Sequence, residues 1–331
     1  MVKAEILAAL DAARGQYLSG QELAQRLGVS RTAVWKAVAA LRADGLPIQA
    51  VTNRGYTLAA DADLLHADAI AAHLDPEVAR ALQSEVYDRL PGTNAALRAR
   101  AAEGAPEGLV CIAQAQSAGR GRSGRSFFSP PGGLYLSILL RPDFGARQAV
   151  LLTVMAAVAA AQAAESLCGA PIGIKWVNDL WREGKKVCGI LTEATMDVES
   201  GLLDYAVVGP GFNLVPPPEG WPPELSGIAG SLFDQPPLPG TRARLAAAFL
   251  NRFWPLYRNA RPKELLAAYR ERQVLPGRRV EVLPGRGSPY GATVLGIDPE
   301  FRLVVRPDGQ NAPIPLQSGE VRILPGSASA L

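Results

Sequence analysis

Two short amphipathic segments between residues 19 and 42 are joined by the tripeptide Gly-Val-Ser at 28–30. Ser19 precedes the first segment and Glu22 follows three residues later, a pattern in which each side chain bonds to a free amide group at a helix start. The glycine of the tripeptide is a typical helix end, and its serine is a typical helix start. Two helices joined by so tight a turn predict a helix-turn-helix, with the second helix over Arg31–Arg42.

The flanking segments extend this unit. Val2–Arg14 has the apolar spacing of a helix. After Gly45, the short apolar segments Ile48–Val51 and Tyr56–Leu58 enclose the turn sequence Thr-Asn-Arg-Gly. Polar turn residues between two apolar segments are typical of a β-hairpin. Residues 1–62 are therefore predicted to form a winged helix-turn-helix.

Such a unit places the start of its second helix in the major groove of DNA. The residues expected to contact DNA are Arg31, Thr32, Trp35 and Lys36, with Arg54 on the hairpin meeting phosphate. The first sixty residues contain seven basic and four acidic side chains, so their positive excess is modest. The alternative is a packing or dimerisation module whose charged side chains are merely solvated.

The chain has 331 residues, enough for two or three domains. Residues 63–83 are predicted to be a linker whose short helix is interrupted at Asp75-Pro76, with His66 and His73 on its surface. Apolar runs alternate with helical segments over 84–272, which predicts a mixed α/β domain. The expected strands are Leu109–Ala113, Leu134–Leu140, Ile172–Trp176, Lys186–Thr192 and Tyr205–Val208, and the expected helices are Gln148–Leu167, Thr241–Tyr257 and Pro262–Arg272.

Short β segments separated by Pro-Gly, Asp-Pro and Pro-Asp-Gly turns make up residues 273–331. They predict a small C-terminal β-barrel of the SH3-like kind. The whole chain is therefore expected to be an α+β multidomain protein with an N-terminal winged helix-turn-helix, a central mixed α/β domain and this barrel.

Composition disfavours several classes of site. Two histidines and three widely separated cysteines, Cys111, Cys168 and Cys188, argue against a zinc site, a redox pair and a catalytic triad. The cysteines show no paired framework, so a reducing cytoplasm is expected. The uncharged stretch 150–164 is too short to cross a bilayer and is predicted to be a buried helix; no signal peptide is expected. The net charge is only +3, so any nucleic-acid surface must be local.

The most informative stretch for chemistry is 118–126, Ala-Gly-Arg-Gly-Arg-Ser-Gly-Arg-Ser. Arg120, Arg122 and Arg125 repel one another unless an anion lies among them, and guanidinium groups suit phosphate or carboxylate. The glycines at 119, 121 and 124 allow tight turns but make the segment costly to order. It is predicted to be a lid that folds over an anionic ligand; the alternative is a flexible loop that contacts RNA.

A second cluster, Lys-Trp-Val-Asn-Asp-Leu at 175–180, precedes Lys185 and Lys186. The chain has six lysines against twenty-eight arginines, and three of the six lie in this window. A compact ammonium group suits an oxygen of phosphate or carboxylate, and Asn178 and Asp179 could hold a base, a metal or the lysines. The alternative is a hairpin whose turn at 182–185 carries solvated charge. A third feature, Gly-Thr-Asn at 92–94, is by itself only a helix N-cap.

Three motifs in order closely resemble the signature of biotin–protein ligases: Gly-Arg-Gly-Arg-x-Gly-Arg at 119–125, Lys-Trp-x-Asn-Asp-Leu at 175–180 and Lys-x-x-Gly-Ile-Leu at 186–191. With the winged helix in front, the chain resembles the bifunctional members of that family, which also repress the biotin operon. The resemblance covers essentially the whole chain, and the arginine–glycine and Asn-Asp motifs together are highly specific.

The resemblance implies a two-step adenylation. Biotin and ATP would give biotinyl-5′-AMP and pyrophosphate, with Mg²⁺ shielding the phosphates. A lysine in the biotin carboxyl carrier domain of a biotin-dependent carboxylase would then attack the mixed anhydride. Operator DNA and a homodimer favoured by biotinyl-5′-AMP are also implied, in the cytoplasm and without a membrane. This chemistry depends on positioning and charge neutralisation, so it needs no histidine or cysteine nucleophile.

The resemblance also implies three groups of site residues. The catalytic group is Lys186, Arg122 and Asp179, with Lys186 neutralising the junction of carboxylate and phosphate. The biotin-binding group is Gly92, Thr93, Asn94, Gln116, Gly119, Arg120, Gly121, Arg122 and Lys186. The nucleotide-binding group is Arg122, Arg125, Phe127, Lys175, Asn178, Asp179 and Asn213, and no residue is assigned as a dedicated metal ligand.

The chain departs from the family pattern at several positions. Gly92 stands where a serine is usual, which removes one hydrogen bond to the ureido ring of biotin. Val177 and Phe127 replace a common proline and a common tryptophan. The last strand ends Val-Arg-Ile-Leu at 321–324, so an arginine expected near the nucleotide is shifted or absent.

Three alternatives stay open: a ligand-sensing transcription factor without catalysis, a lipoate-type ligase, and a ligase whose N-terminal module does not bind DNA. Retention of both lysine-bearing motifs disfavours the first. The arginine–glycine loop and the winged helix favour biotin over lipoate.

Overall fold

The computed structural model describes residues 2–43, 46–59, 65–259, 261–284 and 287–324, without the side chain of Arg147. Of the residues named in the sequence predictions, Gly45 before the hairpin and Asp61 and Asp63 at the start of the linker lie outside these ranges.

The N-terminal unit has three helices and a hairpin in the predicted order: α1 Val2–Ala12, α2 Gly20–Leu27, α3 Arg31–Ala43, β1 Ile48–Val51 and β2 Gly55–Leu58. The Ser19 hydroxyl accepts a hydrogen bond from the Glu22 amide at 3.0 Å, and the Ser30 hydroxyl accepts one from the Ala33 amide at 3.1 Å. Gly28 has a φ of +63°, the left-handed conformation that ends α2. The winged helix-turn-helix is therefore confirmed.

The connector contains two short helices, α4 Ala67–Ala71 and α5 Pro76–Ala81, which pack against α1 and the later helix α8. Asn251 on α8 accepts a hydrogen bond from the Asp75 amide at 2.9 Å and donates one to the His73 carbonyl at 3.0 Å. His66 accepts a bond from the Asp68 amide at the start of α4. Both histidines are half-buried, so they support local structure and do not lie on the open surface that the sequence predicted.

A seven-stranded mixed sheet forms the centre of the chain, in the order β3-β4-β5-β9-β8-β7-β6. Only β3 and β4 run parallel to each other. The strands are β3 Gln83–Leu90, β4 Leu109–Gln116, β5 Leu134–Leu140, β6 Gly173–Lys175, β7 Asp179–Arg182, β8 Lys185–Met196 and β9 Leu203–Phe212. The helices are α6 Thr93–Ala102, α7 Ala149–Cys168, α8 Thr241–Asn259 and α9 Pro262–Glu271.

Helices cover the two faces of this sheet unequally. On one face, α7 packs against the sheet and against α8 and α9. By length and composition α7 could cross a membrane, but most of its apolar stretch is buried inside the protein, as a core helix is. On the other face, α6 packs over β4, β5 and β9. Beyond α6, that face opens into a cavity.

Of the strands of the central sheet, β3 was not predicted from the sequence, and β7 was implied only by the hairpin alternative with its turn at 182–185. β3 is a polar edge strand with few buried side chains, and β7 has only four residues. Both owe their extended form to pairing with neighbours, β3 with β4 and β7 with β8, since neither has a strong alternating apolar pattern of its own.

The C-terminal unit is a five-stranded antiparallel sheet in the order β13-β12-β11-β10-β14. Its strands are β10 Arg279–Leu283, β11 Tyr290–Ile297, β12 Leu303–Pro307, β13 Ile314–Leu316 and β14 Glu320–Ile323. Within the described ranges β13 and β14 do not pair, so the sheet is open and the expected SH3-like barrel is not confirmed. Pro315 lies in β13, and a proline lacks the amide donor that further pairing requires. The Trp176 indole donates to the Phe301 carbonyl at 3.0 Å and anchors this sheet to the central domain.

Candidate active site

A cavity of about 1400 Å³ lies on the open part of the central sheet. Residues from the start of α6, the glycine–arginine loop at 118–128, the sheet from β6 to β9 and strand β14 line it. Except for Gly119, every residue assigned above to biotin, nucleotide or catalysis lines this one cavity: Gly92, Thr93, Asn94, Gln116, Arg120, Gly121, Arg122, Arg125, Phe127, Lys175, Asn178, Asp179, Lys186 and Asn213.

The first turn of α6 opens into the cavity. Its N-cap is Gly92, which has no side chain to cap the helix. The Thr93 amide donates to Gln116 Oε1 at 2.9 Å, and Gln116 Nε2 donates to Ser129 Oγ at 2.9 Å. Ser129 in turn donates to the Phe127 carbonyl at 2.9 Å. These bonds hold the Gln116 side chain with its oxygen towards the start of α6.

Asn94, in the same turn, is held by protein groups on both sides. Its Nδ2 donates to the Leu191 carbonyl at 3.2 Å and to Glu193 Oε2 at 2.9 Å, and its Oδ1 lies 2.6 Å from Ser137 Oγ. A Cβ at Gly209 would lie 2.0 Å from Asn94 Oδ1, so this close approach requires glycine. Both amide hydrogens of Asn94 are therefore used within the protein.

The glycine–arginine loop is closed on itself at its base. The Phe127 amide donates to the Gly119 carbonyl at 2.8 Å, and the Gly121 amide donates to the Arg125 carbonyl at 2.7 Å. A Cβ at Gly119 would lie 2.5 Å from the Phe127 carbonyl oxygen. Gly119 is buried and shapes the loop at this point, which explains why it does not itself line the cavity.

Two arginines of this loop bind opposite walls of the cavity. Arg122 Nη1 donates to Asn178 Oδ1 at 3.2 Å, in the turn between β6 and β7. Arg125 forms a bidentate ion pair with Glu320 on β14, and this contact lowers the pKa of the Glu320 carboxyl. Arg120 remains exposed. The loop thus links the central sheet to the C-terminal sheet.

Two lysines of the cavity wall lie within the electrostatic influence of one carboxylate, Asp179. Lys186 Nζ on β8 lies 2.7 Å from Asp179 Oδ1 on β7. Lys175 on β6 has a lowered pKa because it is largely desolvated, an effect that the charges of Asp179 and Glu320 oppose. The turn that joins β7 to β8 is a two-residue hairpin. Residues 175–186 therefore form the hairpin that was the alternative interpretation, and the same hairpin carries the lysines that line the cavity.

Phe127 lies on a floor made by two glycines. A Cβ at Gly189 would lie 2.9 Å from the Phe127 ring, and one at Gly211 would lie 2.8 Å from it. The ring packs edge-on against Tyr135, with centroids 6.4 Å apart, and Lys186 Nζ lies 5.8 Å from its centre. This places an aromatic face beside the lysine pair; its contact with adenine stays a prediction.

Asn213 lines the cavity, but its amide is used elsewhere. Its Nδ2 donates to the Gly230 carbonyl at 3.0 Å and approaches the Lys186 carbonyl at 3.4 Å. Asn213 therefore fastens the segment at 228–230 to β8, and its expected contact with a nucleotide stays a prediction.

Sequence reasoning missed four residues of the site: Ser137, Glu193, Trp221 and Glu320. Trp221 packs edge-on against Phe128, with centroids 6.3 Å apart, at the cavity wall. A tryptophan in a proline-rich surface loop was a signal that could have been used, since such a loop has no core to fill. The other three are ordinary polar residues within strands, and only their distant partners reveal them. Strand β14 also places Arg322 in the lining of the cavity.

Acidic groups are too few in the cavity to enclose a metal. In the part of the chain that the structure describes, no three His, Cys, Asp or Glu side chains lie close enough to hold an ion. The Asp179 carboxylate and the Asn178 amide oxygen are nevertheless hard donors next to the cationic groups. Such a sparse donor set fits Mg²⁺, which is usually held by one or two carboxylates together with phosphate and water.

The residues predicted to contact DNA are all exposed. On α3 these are Arg31, Thr32, Trp35 and Lys36. Trp35 is 61% exposed, so core packing does not explain a tryptophan there. Arg54, in the turn between β1 and β2, lies over the Tyr17 ring, 4.4 Å from its centre.

Two protein-family models match the chain. Residues 3–57 match a family described as an HTH domain, and residues 86–213 match the biotin/lipoate A/B protein ligase family. The first range covers the winged helix, and the second runs from β3 to Asn213, at the end of β9.

Curated relatives match over longer stretches. The chain is 37% identical over 233 residues to the bifunctional ligase/repressor BirA of Bacillus subtilis, covering 70% of each chain. It is 36% identical over 203 residues to the BirA of Escherichia coli, covering 61% of each chain. It is 33% identical over 249 residues to the biotin–[acetyl-CoA-carboxylase] ligase of Mycobacterium tuberculosis, covering 72% of this chain and 88% of that protein.

A solved structure shares the fold. The biotin protein ligase from Aquifex aeolicus in complex with biotin and ATP aligns with a TM-score of 0.60 at 21% identity, covering 73% of this chain and 98% of that one.

Proposed function

The chain belongs to the family of the bifunctional ligase/repressor BirA, and from this premise we propose that it is an ATP-dependent biotin–protein ligase that also represses transcription. It activates biotin to biotinyl-5′-AMP and transfers biotin to a lysine of a biotin carboxyl carrier domain. One observation carries the proposal: the loop arginines and the strand lysines converge on the cavity that begins at Thr93.

In the first step, a carboxylate oxygen of biotin attacks the α-phosphorus of ATP. A new P–O bond forms, the bond to the bridging oxygen of the β-phosphate breaks, and pyrophosphate leaves. Both reactants are anions, so catalysis consists mainly of holding them together and offsetting charge. Lys186, oriented by Asp179, offsets the charge at the new junction, and Arg122, held by Asn178, closes the loop over it.

The nucleotide is proposed to lie towards the C-terminal sheet. Lys175 and Arg125 face its phosphates, and Phe127 faces its base. Asn178 and Asp179 would hold Mg²⁺, which when bound neutralises phosphate charge. Gly92, Thr93 and Gln116 bind the ureido ring of biotin at the start of α6, with Gly119, Arg120 and Gly121 shaping the loop that covers it. Asn94, which was expected to bind the ring directly, lies behind them and is bonded to other protein groups.

In the second step, the neutral amine of the acceptor lysine attacks the carbonyl carbon of the mixed anhydride. An amide bond forms, the acyl–phosphate bond breaks, AMP leaves and the amine loses a proton. Until the carrier domain arrives, the closed loop keeps water from the anhydride.

Repression is assigned to the N-terminal unit. The exposed residues of α3 read operator DNA and Arg54 meets phosphate, in a homodimer that biotinyl-5′-AMP favours. We propose the division 1–62, 63–82, 83–272 and 273–331 for the DNA-binding unit, linker, catalytic domain and C-terminal unit, since β3 begins at Gln83. The C-terminal sheet is proposed to be an opened relative of the SH3-like barrel that serves as one wall of the nucleotide site.

The test is direct. Purified protein is incubated with ATP, biotin and a carrier domain, and the carrier should gain the mass of one biotin. Reactions without ATP, and with lipoate in place of biotin, are the controls. A protein that binds biotin but neither releases pyrophosphate nor modifies the carrier would be a sensor and not a ligase.

A further inference from the structure

A chain of hydrogen bonds runs behind the start of α6, from the surface to the cavity. Arg98 Nη1 donates to Glu193 Oε1 at 2.8 Å, and the other carboxylate oxygen of Glu193 accepts from Asn94 Nδ2 at 2.9 Å. Asn94 Oδ1 lies 2.6 Å from Ser137 Oγ, which lies 2.7 Å from Thr93 Oγ1. Ser137 is fully buried, so no solvent satisfies its hydroxyl.

The direction of these bonds follows from the chemistry of the end group. A carboxylate can only accept hydrogen bonds, and so can the Leu191 carbonyl. Both face the Asn94 side chain, which must therefore turn its Nδ2 towards them and its Oδ1 towards Ser137. Since a carbonyl oxygen cannot donate, Ser137 gives its single proton to Asn94.

Ser137 can then only accept from Thr93. The Thr93 hydroxyl proton has two acceptors within reach, Ser137 Oγ at 2.7 Å and Gln116 Oε1 at 3.3 Å. In either case the proton is used within the protein and the hydroxyl turns lone pairs towards the cavity. Gln116 Oε1 is likewise an acceptor, because its amide nitrogen is engaged by Ser129.

We propose that Glu193 is a specificity-determining residue, which acts through Asn94 and Ser137 to make this end of the cavity accept hydrogen bonds. The inference rests on the proposed function and deepens it. A cyclic urea presents two N–H donors, and a wall of two acceptors, Thr93 Oγ1 and Gln116 Oε1, is complementary to it. If Asn94 were reversed, Ser137 would donate towards Thr93, and the Thr93 hydroxyl would be free to donate into the cavity and oppose a urea.

The test uses the two cyclic carbamate analogues of biotin, each with oxygen in place of one ureido N–H. Oxygen facing an acceptor is repelled, so the native protein should prefer biotin over at least one analogue by about 100-fold or more in kcat/KM for pyrophosphate release. In Glu193→Gln, the new amide can turn either its oxygen or its nitrogen towards Asn94, so only the Leu191 carbonyl still fixes the orientation of Asn94 and the reversed state becomes populated. This preference should fall about tenfold, the effect of one hydrogen bond, with the KM for ATP unchanged.

The chain offers a matched control. Glu85 is another carboxylate that pairs with an arginine of α6, Arg100, and it does not contact Asn94. Glu85→Gln makes the same change of charge and should keep the full preference. Ser137→Ala removes the proton that orients the relay and should lower the preference as Glu193→Gln does. Folding of each variant is checked by its circular dichroism spectrum.

The outcomes distinguish a failure of the hydrogen-bond relay from a failure of the proposed ligase function. Loss of preference in Glu193→Gln and Ser137→Ala, but not in Glu85→Gln, supports the relay. Full preference in a folded Glu193→Gln, or a native protein that accepts both carbamates as well as biotin, would overturn it while leaving the ligase intact. A native protein that forms no adenylate from biotin itself would instead refute the proposed function.

Discussion

Lys186 Nζ lies 2.7 Å from Asp179 Oδ1, across the two strands of a tight hairpin. The carboxylate fixes the direction of the ammonium group. A lysine side chain has four rotatable bonds, and this ion pair restricts them before any ligand arrives. The hairpin therefore presents one oriented positive charge to the cavity.

Replacing Lys186 by alanine should lower the rate of adenylate formation by about 10²- to 10³-fold, because charge at the reacting junction is no longer offset. The rate is measured as pyrophosphate release with biotin and ATP. Lys185→Ala is the matched control: this neighbour is exposed, and its loss should have little effect. Undiminished pyrophosphate release in folded Lys186→Ala would refute the assignment.

Replacing Arg122 by glycine should greatly increase the release of biotinyl-5′-AMP into solution. The rate at which biotinyl-5′-AMP forms should fall by a smaller factor. The change removes the contact with Asn178 that ties the loop to the central sheet. Chromatography of free biotinyl-5′-AMP, relative to biotin on the carrier, measures the effect. Ser123→Gly places glycine at a left-handed position of the same loop (φ +55°) without removing a cation, and should release less. An equal loss of both steps would point to a direct catalytic role for Arg122.

The ion pair of Arg125 with Glu320 should hold the loop against the C-terminal sheet in the free protein. Exposed ion pairs contribute up to about 1 kcal/mol, so Glu320→Gln should raise the open population up to about fivefold. Trypsin cleavage within 120–125, without ligand at pH 8, reports that population. Glu281→Gln on the neighbouring strand is the control. Unchanged cleavage in Glu320→Gln would show that other contacts close the loop.

The lowered pKa of Glu320 predicts how this closure depends on pH. Its carboxylate is stabilised in the folded protein, so the contribution of the ion pair is present above the ordinary pKa of 4.5 and is lost as pH falls through the lower folded value. The stability difference between the native protein and Glu320→Gln should therefore shrink in acid, as measured by urea unfolding.

Lys175 should give the enzyme an alkaline limit below the usual lysine range. Burial lowers the pKa of its ammonium group, so the charge facing the phosphates is lost before the ordinary value of 10.5 is reached. The KM for ATP should rise as pH passes through that lowered value. Lys175→Arg, which stays protonated, should not show this rise. Superimposed pH profiles for the two proteins would exclude Lys175 from nucleotide binding.

The lowered pKa of Lys175 acts on stability in the opposite direction: the protein becomes more stable over the pH range in which binding of ATP weakens. Between the folded pKa of Lys175 and 10.5, the unfolded chain binds more protons than the folded one, so the free energy of unfolding increases with pH. Any stability advantage of Lys175→Met should therefore diminish as pH rises through this window, in urea titrations at two pH values.

Binding to operator DNA should weaken steeply with salt, because phosphate contacts release counterions. Arg54→Ala should weaken binding to all sequences and reduce the salt slope by about 1, whereas Trp35→Ala should reduce the preference for operator over random DNA. Biotinyl-5′-AMP should strengthen binding by favouring the dimer. Fluorescence anisotropy at several salt concentrations measures these effects. A flat salt dependence, or no binding with the adenylate present, would favour a module that does not bind DNA.

Signals that act within a few residues were readable from the sequence. The Ser19 and Ser30 caps and the Gly28 helix end depend on atoms three or four positions away, and the structure contains them as predicted. The apolar run of β5 was placed at its observed bounds, since both faces of that strand are buried. The arginine and lysine motifs that line the cavity were also found, because charge and glycine spacing are properties of the chain itself.

What only the tertiary structure decided is which distant groups meet. Glu193 and Ser137 carry no local mark of their importance, and they matter because β8 and β5 bring them to Asn94. Glu320 became part of the site by pairing with Arg125, 195 residues earlier in the chain. Local patterns set helices, turns and charge, since their physics is short-ranged. Hydrogen-bond partners across a sheet depend on the order and register of strands that are far apart in the chain, and no short segment of sequence contains that information.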